Sequence, residues 1–526
     1  MTRPSPAADT ATSRTAAGEV HKQPKLDVLV VGAGHNGLVA AAYLAKAGRR
    51  VVVVEARDSA GGQLSPVIHG PAFSASLHAS ARLRPEIARE LELARHGLSS
   101  TDVESPYLAP LPDGGVLRLS STAGDAATLE SIRRLSPRDA ARWPEFVAYM
   151  HGAAAWLDAA YATPMPRLPQ VDWRSDGWPL AALAWKLRKL GRRDMFRVIR
   201  SLSMTAIEFG EEWFEGEPLK AAVGALGLHG VTIGSMSAGA GYVLLHHWRN
   251  RGGLGHRGGA HDAANLCRAL VQALQAHGGQ LRAGAPVTRI LVERGRAVGV
   301  VLAGGEEIKA SNVVSAADPR RTLLDLVGAP ELPPEFVWHA QSIRMRGSVA
   351  KVHVLTDGRH GLPEGTIVVA PTLVYLERAY DAAKYGEVSP QPYLEVTASG
   401  AVVSIHFQFA PYALREGDWQ SMRATLERRA IDTLSSHFPA FRHAVREVRS
   451  ITPLDLEHGW GLTEGDLNHG QLILDQAFFM RPMPGWSNHR TPVDGLWLCG
   501  SGVHAGGGVS GGAGRNAARA ILQAGR

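Results

Sequence analysis

Residues 26–55 read LDVLVVGAGHNGLVAAAYLAKAGRRVVVVE. The apolar run Leu26 to Val31 is typical of a buried parallel strand, and a helical pattern follows the glycines from Leu38 to Ala47. A second apolar run, Val51 to Val54, ends at the acidic residue Glu55. This order predicts a strand, a glycine-rich turn, a helix and a second strand, which together form a nucleotide-binding unit.

The turn has the spacing GxGxxG, and a physical reason requires glycine at each of the three positions. Gly32 permits the tight turn, Gly34 lets the backbone approach a pyrophosphate, and Gly37 lets helix and strand pack closely. The free N–H groups and the positive dipole end of the helix face the phosphates. Glu55 can accept hydrogen bonds from ribose hydroxyls. The alternative is an ordinary strand–helix–strand crossover with incidental glycines.

The residues after Glu55 favour FAD over NAD. Arg57 and the diglycine Gly61–Gly62 give an ExR…GG extension, which resembles the signature of flavoproteins of the glutathione-reductase-like fold class. In that class the diglycine passes close to the pyrophosphate and ribitol. NAD-dependent dehydrogenases do not usually carry this extension, so we expect FAD as the cofactor.

The C-terminal region supplies a second glycine-rich turn. Residues 495–500, GLWLCG, read as a buried strand that enters the turn SGVHAGGGVSGG at 501–512, and a helix from about Ala513 to Gln523 follows. Such a helix can point its N-terminus at the flavin pyrimidine ring, where negative charge develops on reduction. The alternative is a flexible glycine loop. Between the two ends, residues 285–302 have the pattern strand, turn, strand.

Composition limits the remaining possibilities. A chain of 526 residues predicts two lobes, and it has no apolar run long enough to span a bilayer and no nucleic-acid-binding motif. Its two cysteines, Cys267 and Cys499, are too far apart in sequence for a redox-active pair or a cysteine-based zinc site. Residues 1–24 lack an apolar signal core and predict a disordered tail. We therefore expect a cytoplasmic protein, with membrane association as an alternative.

Taken together, these segments resemble the phytoene-desaturase-like FAD-dependent oxidoreductases, in the branch described as phytoene dehydrogenase-related or pyridine-nucleotide-disulfide-oxidoreductase-like. More specific matches are EWFEGEPLK at 212–220, GYVLLHH at 241–247, TPLDLE at 452–457 and the stretch 469–482. The resemblance covers nearly everything from Lys25 to the C-terminus.

The resemblance implies an α/β fold in which a glutathione-reductase-like Rossmann domain binds FAD and an interleaved α+β domain forms the substrate cap. The implied FAD-binding domain comprises 25–75, 255–330 and 485–526, and the cap comprises 76–254 and 331–484. The implied reaction removes hydride from an organic, lipophilic substrate to form a C=C or C=N bond. The residues expected to contact FAD are Gly32, Gly34, Asn36, Gly37, Glu55, Arg57, Gly61, Gly62, Gln63, Val287, Gly500, Ser501, Gly508 and Val509.

Histidines are the candidates for acid–base or orienting roles, since no Ser/His/Asp triad or metal-ligand cluster is evident. His504 lies in the C-terminal glycine turn and His469 is the first residue of the last matching stretch; for each, a packed histidine is the alternative. The adjacent His246 and His247 are interpreted as structural. His78 and Gln63 depart from the family pattern, and both point to a substrate other than a carotenoid.

Two further segments bear on the electron acceptor and on partners. A second GxGxxG begins at Gly253, but no buried strand precedes it and no acid follows at the right distance, which disfavours an NADPH site and favours oxygen or a quinone. Residues 185–200 predict a basic amphipathic helix, either a peripheral membrane contact or a solvated cap helix. Two alternative functions remain: an isomerase or hydratase without net redox change, and a non-catalytic flavoprotein that binds partners.

Overall fold

The computed structural model describes residues 26–71, 73–79, 82–99, 103–166, 171, 173, 177–257 and 260–525. The predicted disordered tail at 1–24 lies outside the described residues. The strands are β1 (Leu26–Val31), β2 (Val51–Val54), β3 (Val67–Gly70), β4 (Phe73–Ala75), β5 (Tyr107–Pro110), β6 (Val116–Leu119), β7 (Gln280–Arg282), β8 (Val287–Glu293), β9 (Arg296–Leu302), β10 (Glu307–Ser315), β11 (Val349–Thr356), β12 (Thr366–Val369), β13 (Tyr393–Ser399), β14 (Val402–Gln408), β15 (Val445–Ile451) and β16 (Leu496–Leu498).

Helices fill the segments between these strands, and a π-helical turn occupies Arg321–Gly328. The α-helices are α1 (His35–Lys46), α2 (Pro85–Glu90), α3 (Ala126–Arg133), α4 (Pro137–Ala162), α5 (Gly177–Lys189), α6 (Arg192–Ser203), α7 (Ala206–Trp213), α8 (Glu217–Leu226), α9 (Ala240–Arg251), α10 (Ala260–Ala276), α11 (Pro334–Gln341), α12 (Leu373–Lys384), α13 (Trp419–His437), α14 (Pro439–Ala444), α15 (Pro453–Trp460) and α16 (Gly512–Ala524).

The first sheet joins the two ends of the chain. Its order is β7-β2-β1-β10-β9-β8, and β16 pairs with β10. Strand β1 is parallel to β2 and to β10, with Val28 opposite both Val51 and Asn312. Strand β16 is also parallel to β10. The carboxyl ends of these parallel strands therefore meet at one edge, where α/β proteins bind nucleotides.

Apolar cores cover both faces of this sheet. One core contains buried residues of α1, α10 and α16, which include Leu38, Leu270 and Ile521. The other contains residues of β8, β9 and the π-helical turn, which include Ile290 and Leu323. A sheet covered on both faces explains why β1 and β2 are nearly continuous apolar runs instead of alternating ones.

A second, mixed sheet has the order β15-β11-β14-β13-β12-β5-β6. Its pairs are antiparallel except for β12 with β5. Helix α13 packs against it through Leu426 and Leu434, and a separate core of buried aromatic residues joins helices α4, α7 and α9. The predicted α/β class with a Rossmann unit is thus confirmed, while the domain boundaries remain a prediction.

The predicted elements agree with the observed ones except in one segment. The single basic helix expected over 185–200 is wrong: α5 ends at Lys189 and α6 begins at Arg192. Gly191 separates them with φ 87°, a left-handed conformation that glycine adopts without a Cβ clash. None of the described helices is both long enough and apolar enough to cross a membrane.

Candidate cofactor and substrate site

The N-terminal glycine turn is held in shape by close backbone contacts. Gly32 has φ +95°, and a Cβ on Gly37 would lie 2.2 Å from the carbonyl oxygen of Gly32. A Cβ on Gly34 would meet nothing within 4 Å. Gly37 is thus required for the packing of α1 on β1, whereas Gly34 faces open space where a ligand can approach.

Glu55 fixes the shape of this turn. Its Oε2 accepts a hydrogen bond from the backbone N–H of Ala33 at 2.7 Å, and its Oε1 accepts one from the N–H of Arg57 at 3.1 Å. The side chain of Arg57 in turn donates to the carbonyl oxygen of Gly62 at 3.1 Å. Each carboxylate oxygen keeps a second lone pair, so the predicted acceptance of ribose hydroxyl protons is compatible with these bonds.

A cavity of ≈ 620 Å³, here called the cofactor cavity, lies at the carboxyl ends of β1 and β2. Of the residues predicted to contact FAD, those in its lining are Gly32, Gly34, Asn36, Gly37, Glu55, Arg57, Gly62, Gln63, Val287, Gly500 and Ser501. Gly61 is not in the lining; its N–H donates to the carbonyl of Ala33 at 2.9 Å and so supports the turn. Gly508 and Val509 line a neighbouring cavity.

The groups in the cofactor cavity fit FAD. The N-terminus of α1 begins at His35 and presents unpaired N–H groups that suit a pyrophosphate. Nε2 of His35 and Nδ1 of His469 are buried and have no hydrogen-bond partner among the described residues, so they can bond a ligand. Bound FAD would supply the hydride acceptor, a chemistry that no side chain here provides.

One wall of the cofactor cavity is formed by residues that the sequence motifs did not predict. The end of α15 and the residues after it contribute His458, Trp460 and Leu462, and Arg321 adds a cation. The guanidinium of Arg57 lies 5.1 Å from the ring centroid of Trp460. The last residue of the matching stretch TPLDLE, Glu457, itself lines the cavity, so that motif is the signal that could have indicated this wall.

The C-terminal turn is held by a buried arginine. Arg481 is 3 % exposed, and its Nη2 donates to the carbonyl oxygens of Ser501 at 2.9 Å and Asn468 at 2.7 Å. The guanidinium group of Arg481 has five N–H donors, and its bonds to loop carbonyls hold the loops on either side of the cavity in place. Burial lowers the pKa of Arg481.

The two histidines predicted for acid–base roles lie in different places. His469 lines the cofactor cavity, and burial lowers its pKa. His504 lies in the lining of neither this cavity nor its neighbour; its Nε2 donates to the carbonyl of Thr163 at 3.1 Å. Burial lowers the pKa of His504 to about 3. Nδ1 of His504 is buried and has no hydrogen-bond partner among the described residues, so the acid–base role of His504 stays a prediction.

A smaller cavity of ≈ 120 Å³, here called the inner cavity, adjoins the cofactor cavity and shares His35, Gln63 and Ser501 with it. Cavities that enclose a whole drug-sized ligand are usually several times larger, so this volume suits one end of a substrate. The polar and charged residues in its lining are His35, Gln63, Ser76, His78, Arg82, His229, His247, Asn250, Arg251, His256, Lys351, Glu395, Thr397, Ser404, His406, Asn468 and Ser501.

Gln63 and His78, the two departures from the family pattern, contact one another. Gln63 Nε2 donates to the carbonyl of Leu467 at 3.0 Å, which leaves Oε1 of Gln63 as an acceptor. Nε2 of His78 lies 3.0 Å from that oxygen and must therefore carry the proton. Burial lowers the pKa of His78 to about 3, so the ring is neutral. The pair forms a fixed polar wall between the cavities.

A buried ion pair occupies another wall of the inner cavity. Arg251 donates to both carboxylate oxygens of Glu395, at 2.8 and 3.1 Å, and His256 lies 2.7 Å from Oε1 of Glu395. Burial raises the pKa of Glu395, but Arg251, His229 and His256 together outweigh this effect and hold the pKa well below its usual range. The carboxylate is therefore ionised and its charge is balanced.

The interpretation of the His246–His247 pair as structural stays a prediction, and the two rings lie in different surroundings. His246 is buried between Tyr161 and Asn250 and bonds both. His247 lines the inner cavity, and its Nε2 donates to the carbonyl of His229 at 2.8 Å. Adjacent residues on a helix point about 100° apart, so only one of the two reaches the cavity.

The second GxGxxG does not follow a strand. Helix α9 immediately precedes Gly252 and Gly253, and a Cβ on Gly255 would lie 1.9 Å from the carbonyl oxygen of Ser105. Gly255 therefore permits two backbone segments to pack together. The last glycine of this motif, Gly258, lies outside the described residues.

Comparisons with known proteins agree with this geometry. Residues 27–519 match the family model of the FAD dependent oxidoreductases (DAO). The chain is 32% identical to pyridine nucleotide-disulfide oxidoreductase domain-containing protein 2 of Rattus norvegicus, over 95% of this chain and 94% of that protein. It is 25% identical to the lycopene-forming phytoene desaturase of a Paracoccus species, over 93% and 96% of the two chains.

A solved structure shows the same fold. Cyclohexylamine oxidase from Brevibacterium oxydans superposes with a TM-score of 0.55 and 16% identity, over 96% of this chain and 100% of that chain. The Rossmann turn, the cofactor cavity and the family match over nearly the whole length lead to one conclusion. This chain belongs to the FAD-dependent oxidoreductase family, and it is an FAD-dependent oxidoreductase of the phytoene-desaturase-like type.

Proposed function

We propose that this protein removes two hydrogens from an organic small molecule, one as hydride to the flavin and one as a proton that is released to solvent, forming a C=C or C=N bond, and that oxygen or a quinone accepts the electrons. The observation that supports this most is the inner cavity, which adjoins the cofactor cavity through His35, Gln63 and Ser501. A substrate end held there would lie next to the FAD site. Positioning of that kind is the main contribution that a protein makes to cofactor chemistry.

We also propose roles for individual residues. Gly34, Glu55 and Val287 would hold the nucleotide half of FAD, and Ser501 with Gly500 would approach the flavin half. His469, whose Nδ1 has no partner among the described residues, would bond the cofactor. We propose a packing role for His504, because it lies outside both linings. The division into an FAD-binding domain (25–75, 255–330, 485–526) and a cap (76–254, 331–484) belongs to the same proposal.

We also propose that a lipophilic substrate reaches the protein from a membrane surface. The exposed residues of helices α5 and α6 support this. Trp178 is 80% exposed and Trp185 62%, and Phe196 and Ile199 are also exposed. Basic residues including Lys186 and Arg193 lie on the same two helices. Exposed aromatic rings beside basic groups suit the headgroup region of an anionic bilayer.

Vesicle sedimentation tests the membrane contact. The wild-type protein should bind vesicles that contain phosphatidylglycerol better than vesicles of phosphatidylcholine alone. The double variant Trp178→Ser, Trp185→Ser should lose this binding. Trp338→Ser, which changes a 63% exposed tryptophan on α11, is the matched control and should keep it. Equal binding by all three proteins would contradict the proposed surface.

The reaction is tested by an anaerobic visible-absorption titration of the holoenzyme against amines, unsaturated lipids and their saturated counterparts. One class should bleach the flavin and yield a product lighter by two hydrogens. Rapid return of the colour in air would indicate oxygen as acceptor, and slow return would indicate a quinone. Turnover only by pre-reduced enzyme, without net oxidation, would replace the proposal with an isomerase or hydratase. A flavin inert to every class would favour a binding protein.

A further inference from the structure

The inner cavity has more positive than negative charge in its lining. Glu395 provides the negative charge, and Arg251 neutralises it through two hydrogen bonds, at 2.8 and 3.1 Å. Lys351 also lines the cavity and is 8% exposed. Among the described residues, no carboxylate forms an ion pair with Lys351.

The hydrogen bonds of His406, which contacts Lys351, determine which of its ring nitrogens carries the proton. Gln408 Nε2 donates to the carbonyl of Val231 at 2.7 Å, and its Oε1 accepts from the N–H of Gly230 at 2.8 Å. The amide orientation of Gln408 is therefore fixed. Nε2 of His406, 2.9 Å from that Oε1, must be the donor.

Nδ1 of His406 is consequently an acceptor, and Nζ of Lys351 donates to it at 3.0 Å. Burial lowers the pKa of Lys351 to about 8, so the ammonium group is still mainly protonated at neutral pH. One of its three protons is used by His406. The other protons remain available to a ligand in the cavity.

The approach to this cavity is also basic. A cleft of ≈ 480 Å³, here called the outer cleft, shares Arg82 and Asn250 with the inner cavity. Arginines outnumber carboxylates in its lining. The charged residues there are Arg82, Arg84, Glu86, Asp158, Arg249 and Arg257. Arg84 and Arg249 pair with Asp158, and Arg257 lies 3.9 Å from Glu104, so the excess of positive charge that an entering anion meets in this cleft is modest.

We propose that the substrate carries an anionic group, a carboxylate, which binds the ammonium group of Lys351 in the inner cavity. This inference rests on the proposed function and narrows its substrate class to organic acids, including amphipathic ones with an apolar tail. A hydrocarbon end in the same place would leave the ammonium group of Lys351 desolvated with no carboxylate in contact, because the nearby Glu395, whose charge favours protonation of Lys351, is already paired with Arg251. A carboxylate supplies both the charge and the hydrogen-bond acceptors.

Ligand binding to the oxidised holoenzyme tests the proposal without any turnover. Hexanoate and benzoate, with their amides as neutral isosteres, are titrated by the flavin difference spectrum and by calorimetry. The wild-type enzyme should bind each carboxylate roughly ten- to a hundred-fold more tightly than its amide. Lys351→Met should abolish this preference, whereas Lys351→Arg should keep part of it. Lys384→Met, which changes an exposed lysine on α12, is the control and should behave as the wild type does.

Three results would overturn the proposal. These are equal affinity of wild-type enzyme for acid and amide, preference retained in Lys351→Met, and no binding of either acid at about 10 mM. If Lys351→Met cannot be obtained as holoenzyme, the affinities of the wild-type enzyme for each acid and its amide decide whether the proposal holds. Failure of the proposed oxidation would appear as an inert flavin in the anaerobic titration. Binding constants of non-oxidised acids do not depend on that outcome.

Discussion

Asn36 and Ser501 are separated by 465 positions in the chain, and Nδ2 of Asn36 donates a hydrogen bond to Oγ of Ser501 at 3.2 Å. Oδ1 of Asn36 accepts a bond from the backbone N–H of Gly514 at 3.4 Å. One side chain in the first turn of α1 therefore connects the N-terminal glycine turn to the C-terminal one. Because both turns line the cofactor cavity, this contact sets the distance between its two halves.

Asn36→Asp tests the electrostatics of this contact. An aspartate can accept a bond from Ser501 and still accept from Gly514, so the thermal stability should change little. The added negative charge lies where the pyrophosphate is expected, at the N-terminus of α1. We expect the affinity for FAD to fall by about tenfold or more, measured by titration of the apoprotein. Unchanged affinity would show that the phosphates lie elsewhere.

Substitutions of two glycines in the first turn should affect folding and cofactor binding separately. Gly37→Ala places a methyl group 2.2 Å from the Gly32 carbonyl oxygen and should destabilise the protein by about 3 kcal/mol. Gly34→Ala meets nothing within 4 Å, and the φ of −68° at Gly34 suits alanine. This variant should therefore fold normally and bind FAD about tenfold or more weakly.

Thermal unfolding of the apoproteins and FAD titrations distinguish the two variants. Two outcomes would show that the assignment of the two glycines is wrong: an unstable Gly34→Ala protein, or a Gly37→Ala protein with wild-type stability.

Much of the first sheet could be predicted from the sequence because its signals are local. Apart from Asp27, strands β1 and β2 consist of apolar residues, and a glycine turn joins β1 to α1. The break between α5 and α6 could not be predicted with equal ease. Apolar and basic residues keep a helical spacing across Gly191, and only the backbone conformation of that glycine shows that two helices replace one.

The buried ion pair of the inner cavity predicts a large stability effect. Glu395→Gln removes the charge that balances Arg251, whose side chain is 5% exposed. An unpaired charge left in the interior should lower the free energy of unfolding by about 3–5 kcal/mol. Chemical denaturation of the variant measures this. Glu306→Gln, which breaks the exposed pair with Arg282, is the control and should have little effect. Equal decreases in the free energy of unfolding of the two variants would contradict the claim that Glu395 and Arg251 form a buried ion pair.

Buried histidines predict sensitivity to acid. Burial lowers the pKa to about 4 for His35 and His489, and to about 3 for His78, His247, His353 and His504. In the unfolded chain these rings take up protons below their ordinary pKa of 6.5, whereas in the folded protein they stay neutral. Their contribution to stability is therefore complete above pH 6.5 and is lost as the pH falls towards 3–4.

Each of these histidines can remove up to about 1.4 kcal/mol per pH unit within that window. Melting temperatures measured from pH 7.5 to pH 5 should be constant above pH 6.5 and fall steeply below it. Most carboxylates titrate below pH 5 and do not obscure this range. A melting temperature that stays constant down to pH 5 would mean that these rings are not buried in neutral form.

The inner cavity could be predicted from the sequence only in part. Gln63 and His78 were detectable as departures from a family pattern. Lys351, Glu395 and His406 lie on three strands of the second sheet, and no motif spacing relates them to each other. Strand pairing places them side by side: Lys351 lies opposite His406, and His406 lies opposite Glu395. Contacts of this kind depend on register, which a single sequence encodes weakly.

The most direct test of the central claim is a titration of the apoprotein with FAD and, separately, with FMN. The cofactor cavity includes the glycine turn, Glu55 and Val287, which would hold the adenosine half that FMN lacks. We predict that FAD binds one to one and restores a flavin spectrum, with FMN roughly a hundred-fold weaker. Equal affinity for the two flavins, or no uptake of FAD, would contradict the assignment of this cavity and the function built on it.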